Sequence, residues 1–164
     1  MAQRDELALL PLIEAQAGER LRGHPAAKVF AASPTEPALF ELAWQRGMLW
    51  VVASEQKLAG YLMAGALDEN FHIQQMDVAP AHGRKGLGRA LLRHALQQAR
   101  ASGYPRAVLT TLSDVAWNAP FYASEGFSEW PSHAWSAGMR EVMAAEAAAG
   151  FPMELRLAMQ RILS

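Results

Sequence analysis

The sequence has no cysteine among its 164 residues. That excludes disulfides, thiolate metal sites and a thiol nucleophile together. A surplus of charge is also missing: 15 Lys and Arg stand against 16 Asp and Glu, a formal net charge of −1. Such a balance supplies no global pull toward nucleic acid or a membrane surface. Although 51% of the residues are hydrophobic, no run approaches the roughly 18 apolar residues needed to cross a bilayer. The opening Met1-Ala2-Gln3-Arg4-Asp5-Glu6 lacks the basic-then-apolar layout of a signal peptide. The five histidines show no metal-ligand spacing, so no metal is expected. With no repeat, tail or linker, the chain reads as one cytoplasmic domain over residues 1–164.

What is present is a regular alternation of elements. Apolar residues at near-helical spacing predict a helix over 5–22, with Pro11 either kinking it or starting it. A second helix is predicted over 37–46, capped by Ser33 or Thr35. Residues 48–53 and 58–66 are short apolar runs joined by Ser54-Glu55-Gln56-Lys57, and they read as an antiparallel hairpin. A third strand spans 71–78 and stops at Pro80. The clearest helix runs over 86–102, with Leu91, Leu92, Ala95, Leu96 and Ala99 on one face. A strand over 107–112, a short helix over 116–124, a strand over 127–130, a helix over 136–149 and a closing strand over 153–162 complete the order. This predicts an α/β fold with a mixed sheet.

Chemistry concentrates between residues 71 and 91. A strand ends at Val78-Ala79-Pro80, a turn with glycines at 83, 86 and 88 follows, and a helix begins without an acidic residue in its first turn. Missing Cβ atoms let backbone N–H groups converge on an anion, and the positive end of the helix dipole adds to this. Arg84, Lys85 and Arg89 bring mobile positive charge. The spacing is neither a dinucleotide fingerprint nor a P-loop. Taken alone, such a turn is as readily a solvated surface loop as an anion site.

A second stretch decides between them. Asn118-Ala119-Pro120-Phe121-Tyr122-Ala123-Ser124-Glu125-Gly126-Phe127 resembles the second signature of the GNAT acetyltransferase superfamily. Asp77-Val78-Ala79-Pro80 with the run from Gly83 to Leu92 resembles the first. The two stand about 30 residues apart, with a helix and a strand between, as that superfamily arranges them. The stretch Asp114-Val115-Ala116-Trp117-Asn118 resembles a bacterial branch. The resemblance implies a mostly antiparallel sheet, flanked by helices and splayed at the strand ending near Val78. The superfamily's first strand would be missing or vestigial here. It also implies acetyl-CoA as cosubstrate. Met76 and Val78 would lie along the pantetheine arm and the loop of Gly83, Arg84, Lys85, Gly86, Gly88 and Arg89 around the pyrophosphate, with Asn118 beside the cofactor. The superfamily prefers Gln or Arg where this chain has Gly83, and Arg84 is the expected substitute.

Acyl transfer to an amine needs a neutral amine, a positioned carbonyl and a protonated leaving thiolate. By resemblance Tyr122 is the acid, and its ordinary pKa of about 10 suits a thiol's of about 8.5. The alternative is a core tyrosine packed beside Phe121 and Phe127. Strand alternation puts His72, Gln74, Met76 and Val78 on one face of the third strand. By resemblance to superfamily members that carry a glutamate or histidine on this strand, His72 is the candidate base, against an equal reading as a polar residue on an exposed face. Asp77 reads as a hydrogen-bond acceptor at the strand end. The expected activity is direct acetyl transfer to the primary amine of a small molecule or peptide, without nucleic-acid or membrane partners and compatible with a homodimer. The rival readings are a non-catalytic CoA-binding sensor and a transferase for another acyl-CoA.

Overall fold

The structure, a computed structural model, describes residues 1–163. Helices α1 (Leu10–Gly18), α2 (Ala27–Ala32) and α3 (Pro37–Gln45) precede the hairpin of β1 (Leu49–Ser54) and β2 (Lys57–Leu67). β3 (Asn70–Val78), α4 (Leu87–Ala101), β4 (Arg106–Leu112), α5 (Ala119–Ser124), β5 (Ser128–Glu129), α6 (Ala137–Ala149) and β6 (Arg156–Ile162) follow. The strands lie in one sheet in the order β1-β2-β3-β4-β6-β5. β3 and β4 run parallel, while β1–β2, β4–β6 and β5–β6 are antiparallel. The expected mixed, mostly antiparallel sheet flanked by helices is therefore the observed one. Residues Met1–Gly65 with Ile73–Gln97 form one compact unit, and Ala66–His72 with the residues from Gln98 onward form another.

In the first unit, Pro11 sits in the first turn of α1, behind a 3-10 stretch at Arg4–Leu9. The predicted helix thus begins at the proline rather than bending there, because that position needs no N–H partner. α3 is not capped by Ser33 or Thr35. Its N-cap is Glu36, without a side-chain bond, and Thr35 instead donates its backbone N–H to Glu14 Oε1 at 3.0 Å. α2 was invisible in the sequence, since six residues carry too short a period to read. The β1–β2 turn is tight, with Glu55 and Gln56 at φ 53° and 65°, the left-handed pair that matches strand twist. Leu10, Ile13, Phe40, Ala43, Leu49, Tyr61 and Met63 form the core here.

No strand precedes Leu49 among the described residues. The Ala2 N–H donates to the Leu49 carbonyl at 2.9 Å, and the Trp44 indole N–H holds the Ala2 carbonyl at 3.0 Å. That single backbone bond is all that stands for a first strand.

In the second unit, Val108, Trp130, Met139, Met143 and Ala158 form the core. Met139 and Met143 of α6 are buried, but Ala144, Ala145, Ala147, Ala148 and Ala149 are exposed, so the alanines expected on the packing face do not pack. Ser136 caps the helix by accepting from the Met139 N–H. β5 covers only the middle two residues of the strand expected over 127–130, and Met153–Leu155 form a 3-10 turn ahead of β6. Glu146 on α6 pairs with Arg156 on β6, with side chains only 12% and 8% exposed, and Thr110 on β4 bonds to both. Removing one partner strands a desolvated charge. Glu146→Ala is expected to lower unfolding stability by about 3–5 kcal/mol, read as a shift of the urea midpoint.

Candidate active site

β2 and β3 approach closely in the first unit. A Cβ on Gly60 would stand 2.7 Å from the Asp77 carbonyl and 3.0 Å from Val78 Cγ2, and Gly65 lies against Gln74. The Ala79 N–H donates to the Ala59 carbonyl at 2.8 Å, which extends the contact past the end of β3. Pro80 then opens a 3-10 turn over Pro80–His82, because its fixed φ suits a first turn and it has no N–H for a ladder.

The loop beyond it bends back twice. Arg84 has φ 61° and Gly86 φ 76°. Glycine takes that conformation freely, but an arginine held there costs about 1–3 kcal/mol. Such strain is a pointer to function. α4 starts at Leu87 with no acidic residue in its first turn, and its first intrahelical bond near the loop is Ala90 N–H to the Gly86 carbonyl. The N–H groups before Ala90 have no partner within the helix. A Cβ on Gly88 would sit 3.7 Å from Val78 Cγ2 and 3.9 Å from Met76 Cε. Met76, Val78 and the start of α4 therefore share one side of β3. Arg84 and Lys85 are exposed and Arg89 is partly covered. Bare backbone, a free helix N-terminus and two exposed cations make a cradle fit for a pyrophosphate.

Asp77 projects from the other side of β3. The Tyr61 hydroxyl donates to its Oδ2 at 2.7 Å, and Gln75 Nε2 donates to the same oxygen at 2.8 Å. Burial, with a smaller contribution from Glu14, raises the Asp77 carboxyl to about 6, against the lowering effect of the two hydrogen bonds. Burial first, and then the charges of Asp77 and Glu14, push the fully buried Tyr61 phenol far above its ordinary value.

The second unit holds the other expected residues. His72 pairs with Val108, and Phe71 with Ala107, in the parallel ladder of β3 and β4. Burial lowers the His72 imidazole to about 4. His72 is thus a neutral, largely covered side chain rather than a polar residue on an exposed face. Asn118 is the N-cap residue of α5, and its Oδ1 accepts from the buried Thr111 hydroxyl at 3.0 Å. That bond fixes the amide so that its NH2 is left to donate. Tyr122 is 8% exposed and lies edge-on between Phe121 and Phe127, with ring centroids 5.2 and 5.7 Å away.

The structure gathers Met76, Val78, Gly83, Arg84, Lys85, Gly86, Gly88 and Arg89 in the first unit, and His72, Asn118 and Tyr122 in the second. Three residues escaped the sequence reading. These are Thr111, which bonds Asn118, Tyr61, which bonds Asp77, and His82, whose Nδ1 is buried without a hydrogen-bond partner among the described residues. No group of three or more His, Asp or Glu among the described residues could hold a metal, and no helix among them is long and apolar enough to cross a membrane. The buried His72 has a consequence in acid. Between pH 6.5 and about 4 the unfolded histidine takes up a proton that the folded one refuses, so stability falls as pH falls through that window. Wild type is expected to lose up to about 3 kcal/mol more than His72→Gln between pH 7 and 4, measured by urea unfolding at each pH.

Comparison with known proteins gives the arrangement a lineage. Over 88 residues the chain is 33% identical to N-acetyltransferase 8 of Homo sapiens, a stretch covering 49% of this chain and 38% of that protein. Well under half of that relative's length is therefore matched. The fold resembles an acetyltransferase of the GNAT family from Staphylococcus aureus Mu50, with TM-score 0.73 at 14% identity over 99% of this chain and 96% of that one. It also resembles the PaiA N-acetyltransferase of Thermoplasma acidophilum, solved in complex with coenzyme A, with TM-score 0.69 at 12% identity over 96% and 93% of the two chains. At such identities the likeness is one of fold. The family model described as Acetyltransferase (GNAT) family matches residues 19–127, more than half of the chain. With the strand–loop–helix at its centre, the chain belongs to the GNAT acetyltransferase family.

Proposed function

We propose that this protein transfers an acetyl group from acetyl-CoA to a primary amine by direct attack. The observation that carries this reading is the junction of β3 and α4. There the left-handed Arg84 and Gly86 turn a glycine-rich backbone just ahead of a helix whose first turn lacks acidic residues, an arrangement suited to an anion.

Acetyl-CoA, when bound, supplies the activated thioester. The loop 83–88 and Arg89 hold its pyrophosphate, Arg84 substitutes for the Gln or Arg that the family prefers at the position of Gly83, and Met76 and Val78 line the pantetheine arm. The Val78 N–H donates to the thioester oxygen as negative charge develops there. The Asn118 amide, oriented by Thr111, donates to the cofactor. The Tyr122 hydroxyl gives its proton to the departing sulfur. With no cysteine in the chain and no serine in a nucleophile elbow, the acetyl group passes straight to the amine nitrogen. The Asp114-Val115-Ala116-Trp117-Asn118 run supports the bacterial branch. The acceptor is a small molecule or a peptide, the protein works in the cytoplasm, and it is compatible with a homodimer.

His72 is a weaker proton acceptor than its type suggests, because burial holds it neutral. A histidine near 4 extracts protons poorly from an amine at neutral pH.

Thiol release from acetyl-CoA across an amine panel, with mass detection of the acetylated product, tests the proposal. Binding of CoA without release from any amine would make the protein a sensor instead, and preference for another acyl-CoA in competition would reassign the donor. Tyr122→Phe is expected to lower kcat by about 100-fold with KM nearly unchanged. Arg84→Gly is expected to weaken CoA binding about tenfold in calorimetry while raising thermal stability by about 1 kcal/mol, since it relieves the left-handed arginine.

A further inference from the structure

The arrangement around β3 assigns a second role at this site, and it rests on the acetyltransfer reading above. We propose that Asp77 is the base that takes the acceptor amine's proton, and that the amine approaches from the Tyr61 side of β3, opposite the side that carries Met76 and Val78.

Three observations carry this. The first is position. The Val78 N–H is the peptide nitrogen immediately following Asp77. A strand N–H lies in the plane of the sheet, while successive side chains leave on opposite faces. A thioester carbonyl docked on that N–H is thus flanked by Met76 and Val78 on the α4 side and by Asp77 on the other. A nucleophile attacks a carbonyl from above or below its plane. With the cofactor arm on the first side, the side left to the amine is the one that carries Asp77.

The second is orientation. Tyr61 and Gln75 both donate to Oδ2, and no described residue donates to Oδ1. Two donors on one oxygen lock the carboxylate's rotamer and leave the other oxygen to receive a proton. Asp77 is only partly covered, while Tyr61 beneath it is fully buried, so the tyrosine acts as a positioning residue.

The third is charge. The titratable groups acting on Asp77 are Tyr61 from β2 and Glu14 from α1, and Glu14 is itself held by the Thr35 backbone N–H. No cation pairs with Asp77 among the described residues. The carboxyl is raised to about 6: ionised at neutral pH, yet far more basic than a solvated aspartate and than His72 at about 4. A structural hydrogen-bond acceptor alone would be served by asparagine without the cost of burying a charge.

The step balances simply. The amine lone pair forms the C–N bond, the C–S bond breaks and its electrons leave with sulfur. The nitrogen's surplus proton goes to Asp77 Oδ1, and the thiolate receives one from Tyr122. Asp77 then gives its proton to solvent and the Tyr122 phenolate takes one back from solvent, so both groups return to their starting states.

The test uses the full chain with acetyl-CoA, following kcat/KM against pH for a panel of alkyl amines and a peptide with a free N-terminus, expressed per concentration of neutral amine. Wild type is expected to rise through an ionisation near pH 6 and then level off, since the carboxylate must be charged to accept a proton. Asp77→Asn is expected to lose that limb and at least 30-fold in rate while binding CoA normally. Tyr61→Phe removes a hydrogen bond that lowers the Asp77 pKa, so its limb should move above 6, which a merely structural tyrosine would not cause. Asp77→Asn within threefold of wild type, with the limb retained, overturns the assignment and leaves the acetyltransferase reading standing. Should Asp77→Asn not fold, an unmoved limb in Tyr61→Phe overturns it equally. If wild type acetylates no amine, the acetyltransferase reading fails and this assignment falls with it.

Discussion

A peptide N–H with no partner in its own strand or helix must find one elsewhere, and the passage from β3 to α4 leaves several in a row. Pro80 closes the strand, the chain turns through left-handed Arg84 and Gly86, and α4 begins with donors that cannot yet bond backward. This constraint organises the surrounding residues. The glycines are needed where the backbone must be bare, the cations collect where an anion neutralises the donors, and acidic residues are absent from the helix start. Gly60 on β2 belongs to the same constraint, since only a residue without Cβ lets β2 approach the Asp77 carbonyl and Val78 so closely.

The charged groups fall into two kinds. Glu146 and Arg156 are buried as a pair, and Thr110 bonds to both side chains, so they hold structure. Asp77 is bonded on one oxygen by neutral donors, and burial raises its carboxyl to about 6 although those two bonds work against the rise. Unpaired buried charge is expensive, and that cost is more readily explained by chemistry than by packing. His72 shows the converse, since burial without a charged partner keeps it neutral.

Elements with strong local periodicity were legible. Leu91, Leu92, Ala95, Leu96 and Ala99 all proved buried on α4, and the β1–β2 hairpin follows its apolar runs and polar turn. Errors came where local signals were short or overridden. α2 has only six residues, the cap expected of Thr35 was lost to its bond with Glu14, and the 3-10 turn at Met153–Leu155 shortened the closing strand.

By itself the sequence determined the order of strand, glycine turn and helix, the absence of any thiol chemistry, and the two separated signatures that mark the family. These depend on residue type and spacing along the chain. Tertiary structure alone decided that His72 is neutral, that Thr111 orients Asn118, and that Tyr61 and Asp77, 16 residues apart, meet in a hydrogen bond. Burial and partners come from segments distant in sequence. A residue's charge is set by what folds over it, and no local pattern records that.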